Sequence, residues 1–183
     1  RLNLGEVYGK TQRYNESIIE LNRAIKTNPS MFLAHYNLGT AYMLTGSYDK
    51  AEISLKACLN LKPSHEPALF NLARVYQNKK EWINSNEAFK EFIKIKGPNP
   101  SVYSEMAWNN LISGNMEQAS ALYETVLNYN PTHRTALINL AKINYRLGKY
   151  KISRFYVDRV LKQDLLQTQL DDLNELLKKL STY

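Results

Sequence analysis

Small and apolar residues recur along this chain with a period of 34 residues. Each period contains a small residue with an apolar residue directly before it, at Gly5, Gly39, Ala73, Ala107 and Ala141. A second small position follows twelve residues later, at Ser17, Ala51, Ser85, Ala119 and Ser153. Each period holds two stretches of 12 to 15 residues with the apolar spacing of an amphipathic helix. The pattern predicts five units of two helices, over residues of about 1–31, 32–65, 66–99, 100–133 and 134–167.

Short breaks separate the two predicted helices of each unit, and three of these breaks contain a glycine, at Gly46, Gly114 and Gly148. Breaks of this length join antiparallel helices, and glycine there can take the left-handed conformation that ends a helix. Prolines, which cannot continue a helix, close three units at Pro29, Pro63 and Pro131. We therefore expect close antiparallel helix pairs, with the two small positions of each unit facing each other.

The pattern resembles the tetratricopeptide repeat. The family signature is clearest in the second unit, at Leu38, Gly39, Tyr42, Ala51, Leu55 and Pro63. The resemblance covers residues 1 to about 167, and the fifth unit departs most, with Asn144 where an aromatic residue is usual and Arg154 at a usually apolar position. It implies an all-α fold, a right-handed α-α superhelix of about eleven helices in a single solenoid over residues 1–183.

Residues 168–183 follow the last repeat and predict one more amphipathic helix. The leucines form one apolar stripe at spacings of three and four, at Leu166, Leu170, Leu173, Leu177 and Leu180. Thr168 with Asp171 is typical of a capped helix start. Because a stacked repeat leaves its last face uncovered, we expect this helix to cap the array. A partner-binding helix is the alternative interpretation.

The net charge of +7 is unevenly distributed. Residues 134–167 contain eight Lys or Arg and two Asp, whereas residues 100–133 contain three Glu and no Lys or Arg. Nucleic-acid binding through the basic fifth repeat is therefore a weak alternative, since the acidic fourth repeat would repel phosphate. The chain opens at Arg1 without a leader pattern, which favours a cytoplasmic location and a longer native chain.

Motifs for catalysis or metal binding do not occur in the sequence. There is no phosphate-cradling glycine loop and no H-E-x-x-H pattern. His65 and His133 occupy the same loop position two repeats apart, too far for one metal ion, and the single cysteine, Cys58, falls at a usually buried position. We expect a chain that is not an enzyme, with no cofactor, no metal and no membrane span.

The tetratricopeptide resemblance implies that the first helix of each pair lines the concave groove. Two residues before the small position, that helix carries Asn3, Asn37, Asn71, Glu105 and Asn139. Asparagine offers both donors and an acceptor, so such a ladder can pair with the backbone of an extended peptide. O-GlcNAc transferase-type superhelices use a ladder of this kind. The alternative is that these asparagines are only solvated groove lining.

Aromatic and charged residues flank the predicted ladder and are the types that anchor interfaces. The complete candidate site comprises Tyr36, Asn37, Phe70, Asn71, Arg74, Glu105, Trp108, Asn139, Lys142 and Arg146. The alternative is that some of these rings, Phe70 and Tyr36 among them, pack against the neighbouring repeat. Lysine is absent from the position that clamps a terminal carboxylate in chaperone-binding members of the family, so that function is not expected.

The sequence therefore predicts a non-catalytic scaffold that binds a protein or extended peptide with acidic groups, along the concave face between repeats two and five. A substrate-recruiting arm of a larger enzyme is the main alternative. Self-association through the terminal repeats is a further possibility that the pattern leaves open.

Overall fold

The computed structural model describes residues 1–162 and 167–181, with side chains described for residues 1–162 and 173–181. The described residues form helices and no strand, as the periodicity predicts. The helices are α1 Leu2–Lys10, α2 Tyr14–Thr27, α3 Phe32–Leu44, α4 Tyr48–Leu61, α5 Glu66–Asn78, α6 Trp82–Lys96, α7 Pro100–Ile112, α8 Met116–Tyr129, α9 Arg134–Arg146, α10 Tyr150–Leu161 and α11 Gln167–Leu180. They fall into two compact units, Arg1–Pro98 with α1 to α6 and Asn99–Tyr183 with α7 to α11.

The first unit consists of three helix pairs, α1 with α2, α3 with α4 and α5 with α6. The small residues hold each pair close together. The Ser17 hydroxyl donates a hydrogen bond to the Gly5 carbonyl at 2.7 Å, which ties α2 directly to the backbone of α1. A Cβ atom added at Gly5 would lie 2.7 Å from Leu21 Cγ, so only glycine fits there without movement. Each later first helix also packs on the preceding second helix, since α3 contacts α2 and α5 contacts α4.

The second unit consists of the pairs α7 with α8 and α9 with α10, followed by α11. The Ser153 hydroxyl donates to the Ala141 carbonyl at 2.8 Å, which reproduces the serine contact of the first pair. Helix α11 packs on α9 and α10, and Leu173, Leu176 and Leu180 are buried in the core of this unit. Leu177, which the predicted stripe included, is only half-buried.

Part of the predicted cap lies outside the described residues. Leu166 is not described at all, and the side chains of Leu170, Thr168 and Asp171 are not described either. The stripe therefore holds over Leu173 and Leu180, and the capped helix start stays a prediction.

The break between paired helices takes the same backbone conformation in every repeat. Gly46, Gly114 and Gly148 have φ values of 75°, 88° and 71°, in the left-handed region that favours glycine. Gln12 and Lys80 stand at the same place in the first and third repeats with φ of 62° and 61°. The helix pair therefore imposes the left-handed turn even where no glycine is present.

Candidate protein-binding surface

The predicted site residues all lie on first helices of the repeats. In the first unit, Tyr36 and Asn37 lie on α3, and Phe70, Asn71 and Arg74 lie on α5. The second unit carries the other half of the candidate site, with α7 holding Glu105 and Trp108 and α9 holding Asn139, Lys142 and Arg146. Because the positions recur in register, each unit presents the same face of its first helices.

Asn37, Asn71 and Asn139 of the ladder are half-buried, whereas Asn3 is exposed, and two of the half-buried asparagines bind neighbouring side chains. The Asn71 amide donates to the Thr40 hydroxyl at 2.9 Å, which links α5 to α3. The Asn139 amide donates to the Tyr123 hydroxyl at 2.8 Å, which links α9 to α8. Each bond uses one of the two amide hydrogens, so the second hydrogen and the carbonyl oxygen remain for other contacts. These asparagines therefore join the helices as well as lining the surface.

Two of the predicted aromatic anchors pack within the fold. Phe70 meets Phe89 and Phe92 of α6, with ring centroids 5.7 Å and 5.8 Å away. Tyr36 packs edge-on against His65, at 4.7 Å between ring centroids. Contacts of this geometry are favourable between aromatic rings and cover much of each surface. These ring contacts lie within the third repeat for Phe70 and within the second repeat for Tyr36, and not against a neighbouring repeat.

Trp108 differs from the other two rings because its side chain is 42% exposed, on the surface of α7. It borders a cavity of about 420 Å³ in the second unit. The lining combines apolar walls with several polar groups, from Ser104, Glu105, Trp108, Leu111, Ile112, Tyr123, Thr135 and Asn139. Three of the predicted site residues of this unit thus line one concavity.

Tyr123 supplies the floor of this cavity and is almost fully buried. Burial raises the pKa of its hydroxyl to about 12, with the nearby Glu105 carboxylate acting in the same direction. The neutral hydroxyl accepts from Asn139, so the floor of the cavity is hydrogen-bonded and uncharged. The 34-residue period does not predict that Tyr123 supplies a hydroxyl to the cavity, because the same position carries leucine, phenylalanine or valine in the other repeats.

Lys142 and Arg146 border a second cavity in the same unit, about 290 Å³ in volume, between α9 and α11. Glu175 and Lys179 of α11 complete its charged lining and bind each other at 2.6 Å. Three cationic side chains and one carboxylate therefore line this cavity, so its net charge is positive. In the first unit, Arg74 is exposed on α5.

Asn37 and Tyr36 line a cavity of about 350 Å³ in the first unit, where α3 meets α1. Its walls include Gly5, Gly9 and Thr40.

Within residues 1–162 and 173–181, no group of three His, Cys, Asp or Glu side chains could hold a metal ion. Cys58 is fully buried, 3.8 Å from His65 Nδ1, and burial raises the pKa of its thiol to about 11. None of the described helices is long and apolar enough to cross a membrane.

Family profiles identify the repeat. A profile described as a TPR repeat matches residues 5–46, and two profiles described as tetratricopeptide repeat match residues 33–65 and 106–164. The chain is therefore a tetratricopeptide-repeat protein. No curated protein matches its sequence significantly.

Solved structures share this fold. The chain is similar to MamA, with a TM-score of 0.79 at 18% identity over 98% of both chains. YrrB, described as a TPR protein with an unusual peptide-binding site, gives a TM-score of 0.82 at 12% identity, over 97% of this chain and 90% of YrrB. PilF of Pseudomonas aeruginosa gives 0.73 at 18% identity, over 98% of this chain and 82% of PilF. The predicted fold class, an all-α solenoid of tetratricopeptide repeats, is confirmed.

Proposed function

We propose that this chain is a non-catalytic scaffold that binds a protein or peptide segment on the first helices of its repeats. The observation that carries this proposal is the cavity bordered by Trp108 in the second unit. It combines an exposed aromatic ring, an apolar wall at Ile112 and hydrogen-bonding groups at Asn139 and Glu105. Recognition sites have this composition, in which apolar surface supplies affinity and a few placed polar groups supply orientation.

The spacing of site residues on α9 defines the partner further. Asn139, Lys142 and Arg146 follow one another at intervals of three and four residues, so they share one face of the helix. At a rise of 1.5 Å per residue, Asn139 and Arg146 are roughly 10 Å apart along the helix axis. An extended peptide spans that distance in about three residues. We therefore expect acidic groups within about three residues of the peptide bond that pairs with Asn139.

The apolar part of the partner belongs at Trp108. A leucine, methionine or aromatic side chain would fill the cavity beside Trp108 and Ile112, whose exposed surfaces it would remove from water. The partner class is thus a segment with one bulky apolar residue followed or preceded by acidic residues. The peptide-binding site described for YrrB supports the idea that this fold can hold peptides, although identity is 12%.

A displayed library of random peptides, selected against the full chain, tests the proposal. The expected result is enrichment of peptides that combine a bulky apolar residue with Asp or Glu. In the background of Trp82→Phe, Trp108 is the single tryptophan of the chain, so its fluorescence reports occupancy of the cavity directly. Peptides selected for other properties, or binding that leaves this fluorescence unchanged, would contradict the proposal.

Variants then assign the contacts. Trp108→Ala should weaken binding of a selected peptide at least ~30-fold, which corresponds to a loss of about 2 kcal/mol for an interface anchor. Asn139→Ala should weaken it by roughly 2- to 13-fold, the value of one net hydrogen bond of about 0.5–1.5 kcal/mol. Phe155→Ala is the matched control, because Phe155 is an exposed aromatic residue of the same unit that lies on α10, away from this cavity. It should bind like the parent chain.

A further inference from the structure

The two cavities of the second unit occupy the same position in successive repeats but differ in chemistry. Trp108 and Ile112 line the cavity on α7. Lys142 and Arg146, which follow them by 34 residues, line the cavity between α9 and α11. The fourth repeat thus presents apolar side chains where the fifth presents two cations. A partner segment that fills both cavities therefore meets apolar surface in one and positive charge in the other.

The charged lining of the second cavity comes as one pair of side chains from each helix. Lys142 and Arg146 are four residues apart on α9, and Glu175 and Lys179 are four residues apart on α11, so each pair shares one face of its helix. The Lys179 ammonium donates to the Glu175 carboxylate at 2.6 Å. Among the described residues, no hydrogen bond or ion pair engages the Arg146 guanidinium, and its side chain is exposed. The three cations exceed the single carboxylate by two charges.

We propose that this cavity binds a phosphorylated serine, threonine or tyrosine side chain of the partner segment. The inference rests on the proposed function, in which an apolar side chain of the same segment lies beside Trp108. A phosphoryl group carries a charge of about −1.5 to −2 at pH 7 and three acceptor oxygens on one atom, which matches the excess of two positive charges. Arginine donates two parallel hydrogen bonds to such a group, and lysine binds it as a point charge.

Carboxylates suit this cavity less well than a phosphoryl group. A glutamate or aspartate side chain, of a partner or of a second copy of this chain, brings one charge and two oxygens, so one of the excess positive charges stays unmatched. Two carboxylates would need two side chains within one cavity of about 290 Å³. Because Glu175 repels every anion here, the cavity favours a dianion, which gains more from the three cations than a monoanion does.

The repeat also sets the spacing between the two partner groups. Packed helices lie roughly 8–10 Å apart, and an extended peptide spans that distance in about three residues. Because the two cavities differ by one repeat, the phosphorylated residue should stand about three residues from the bulky apolar residue, before or after it according to the direction of the bound peptide. Phosphorylation of the partner would then strengthen its binding to this chain.

A set of short fluorescein-labelled peptides tests the inference on the full chain. Leucine stands three residues before or after a test position that holds serine, glutamate or phosphoserine, and every other position is alanine or glycine. Fluorescence anisotropy measures binding. In one of the two directions, the phosphoserine peptide should bind at least ~10-fold more tightly than the serine peptide, as expected of hydrogen bonds to a charged group. The glutamate peptide should bind with intermediate affinity.

Charge variants assign this preference to the cavity. Arg146→Gln should remove most of the preference for phosphoserine over serine. Arg154→Gln is the matched control, because it removes the same charge from the same unit at an exposed arginine on α10 that pairs with Asp158 at 3.3 Å. It should keep the full preference.

The pH dependence of binding separates phosphate from carboxylate. The second pKa of a phosphorylated side chain is about 6, so lowering the pH from about 7.5 to about 5.5 converts the dianion to the monoanion and should reduce the preference. Binding of the glutamate peptide should change little, since free glutamate has a pKa of about 4.3. The described lining of the cavity contains no histidine, so the loss would belong to the ligand.

Trp108 fluorescence, read with unlabelled peptides in the Trp82→Phe background, separates this inference from the proposed function. If the peptides change this fluorescence but phosphoserine binds no more tightly than serine or glutamate, the inference is overturned and the proposed function stands. Phosphoserine binding that depends on Arg146 but leaves the fluorescence unchanged would support the phosphate site and contradict the proposed function. Absence of binding by both phosphoserine peptides overturns the inference. Equally tight binding of a labelled oligothymidylate, lost in Arg146→Gln, would overturn it in favour of nucleic acid.

Discussion

Gly39→Ala tests the close approach of paired helices in the second repeat. A Cβ atom at this position would lie 2.7 Å from Leu55 Cγ and 3.1 Å from the Leu55 backbone nitrogen. The Cγ atom is the branch point of the side chain, so rotation of the leucine cannot remove the clash, and α4 has to shift. The third, fourth and fifth repeats carry alanine at the same position, where the facing residue is not leucine.

The expected free-energy change has two opposing parts. Overpacking a well-filled contact costs about 1–3 kcal/mol. Replacement of glycine by alanine inside a helix raises the free energy of unfolding by about 0.5–1 kcal/mol. We therefore expect Gly39→Ala to lower the free energy of unfolding by roughly 0.5–2 kcal/mol, measured by urea unfolding followed by circular dichroism. Gly9→Ala is the control, because its Cβ would meet only Ser17 Oγ, at 3.6 Å, and should not destabilise the protein.

The fifth repeat supplies a rescue for this variant, since Ala141 there corresponds to Gly39 and Val157 to Leu55. Leu55→Val alone should destabilise the protein, because it removes a buried methylene group. Combined with Gly39→Ala, it should cost less than the sum of the two single changes, with a coupling energy of about 1 kcal/mol. A stabilising Gly39→Ala, or single effects that simply add, would refute the argument that the two helices are in contact at this point.

Other predictions follow from burial. Cys58 should react with a thiol reagent at mildly alkaline pH only as fast as the protein unfolds, because burial raises the pKa of its thiol to about 11. Burial raises the pKa of Tyr123 from 10.0 to about 12, so the stability that it contributes is complete below pH 10 and lost as pH rises through 12; Tyr123→Phe should flatten alkaline unfolding over that range. Leu173→Ala should cost about 2–5 kcal/mol in urea unfolding, and Leu177→Ala should cost less, since only Leu173 is fully buried.

Each of these predictions has an opposing outcome. Rapid labelling of Cys58 in the folded protein would mean that the thiol is accessible. An unchanged alkaline transition in Tyr123→Phe would assign that transition to other tyrosines. Equal losses for Leu173→Ala and Leu177→Ala would mean that α11 does not cap the second unit through the face seen in the structure.

The 34-residue period predicts the helix pairs because stacking constrains the same positions in every repeat. Gly5 and Ser17 illustrate this: the pattern places two small residues opposite each other, and the structure joins them by a hydrogen bond. The left-handed turn is likewise predictable at Gly46. Gln12 takes the same conformation because it stands at the equivalent position of its repeat, although glutamine itself does not indicate a left-handed residue. Local backbone geometry thus follows from sequence wherever all repeats share one solution.

Side-chain partners on the surface are harder to predict, because they depend on residues that differ between repeats. The bond from Asn71 to Thr40 joins different repeats, and the fourth and fifth repeats carry tryptophan and lysine at the threonine position. Phe70 turns towards Phe89 because the third repeat has a second aromatic ring there. Glu175 and Lys179 lie on α11, which has no counterpart in the period, so their place beside Arg146 was not predictable.

This division between shared and varied positions bears on where binding specificity resides. Positions that every repeat fills in the same way, such as Leu140 and Ala141, are buried and serve the stacking of helices. On the proposed function, specificity for a partner comes from the first-helix positions whose residues differ between repeats. Trp108 occupies one of these positions, and its ring remains exposed.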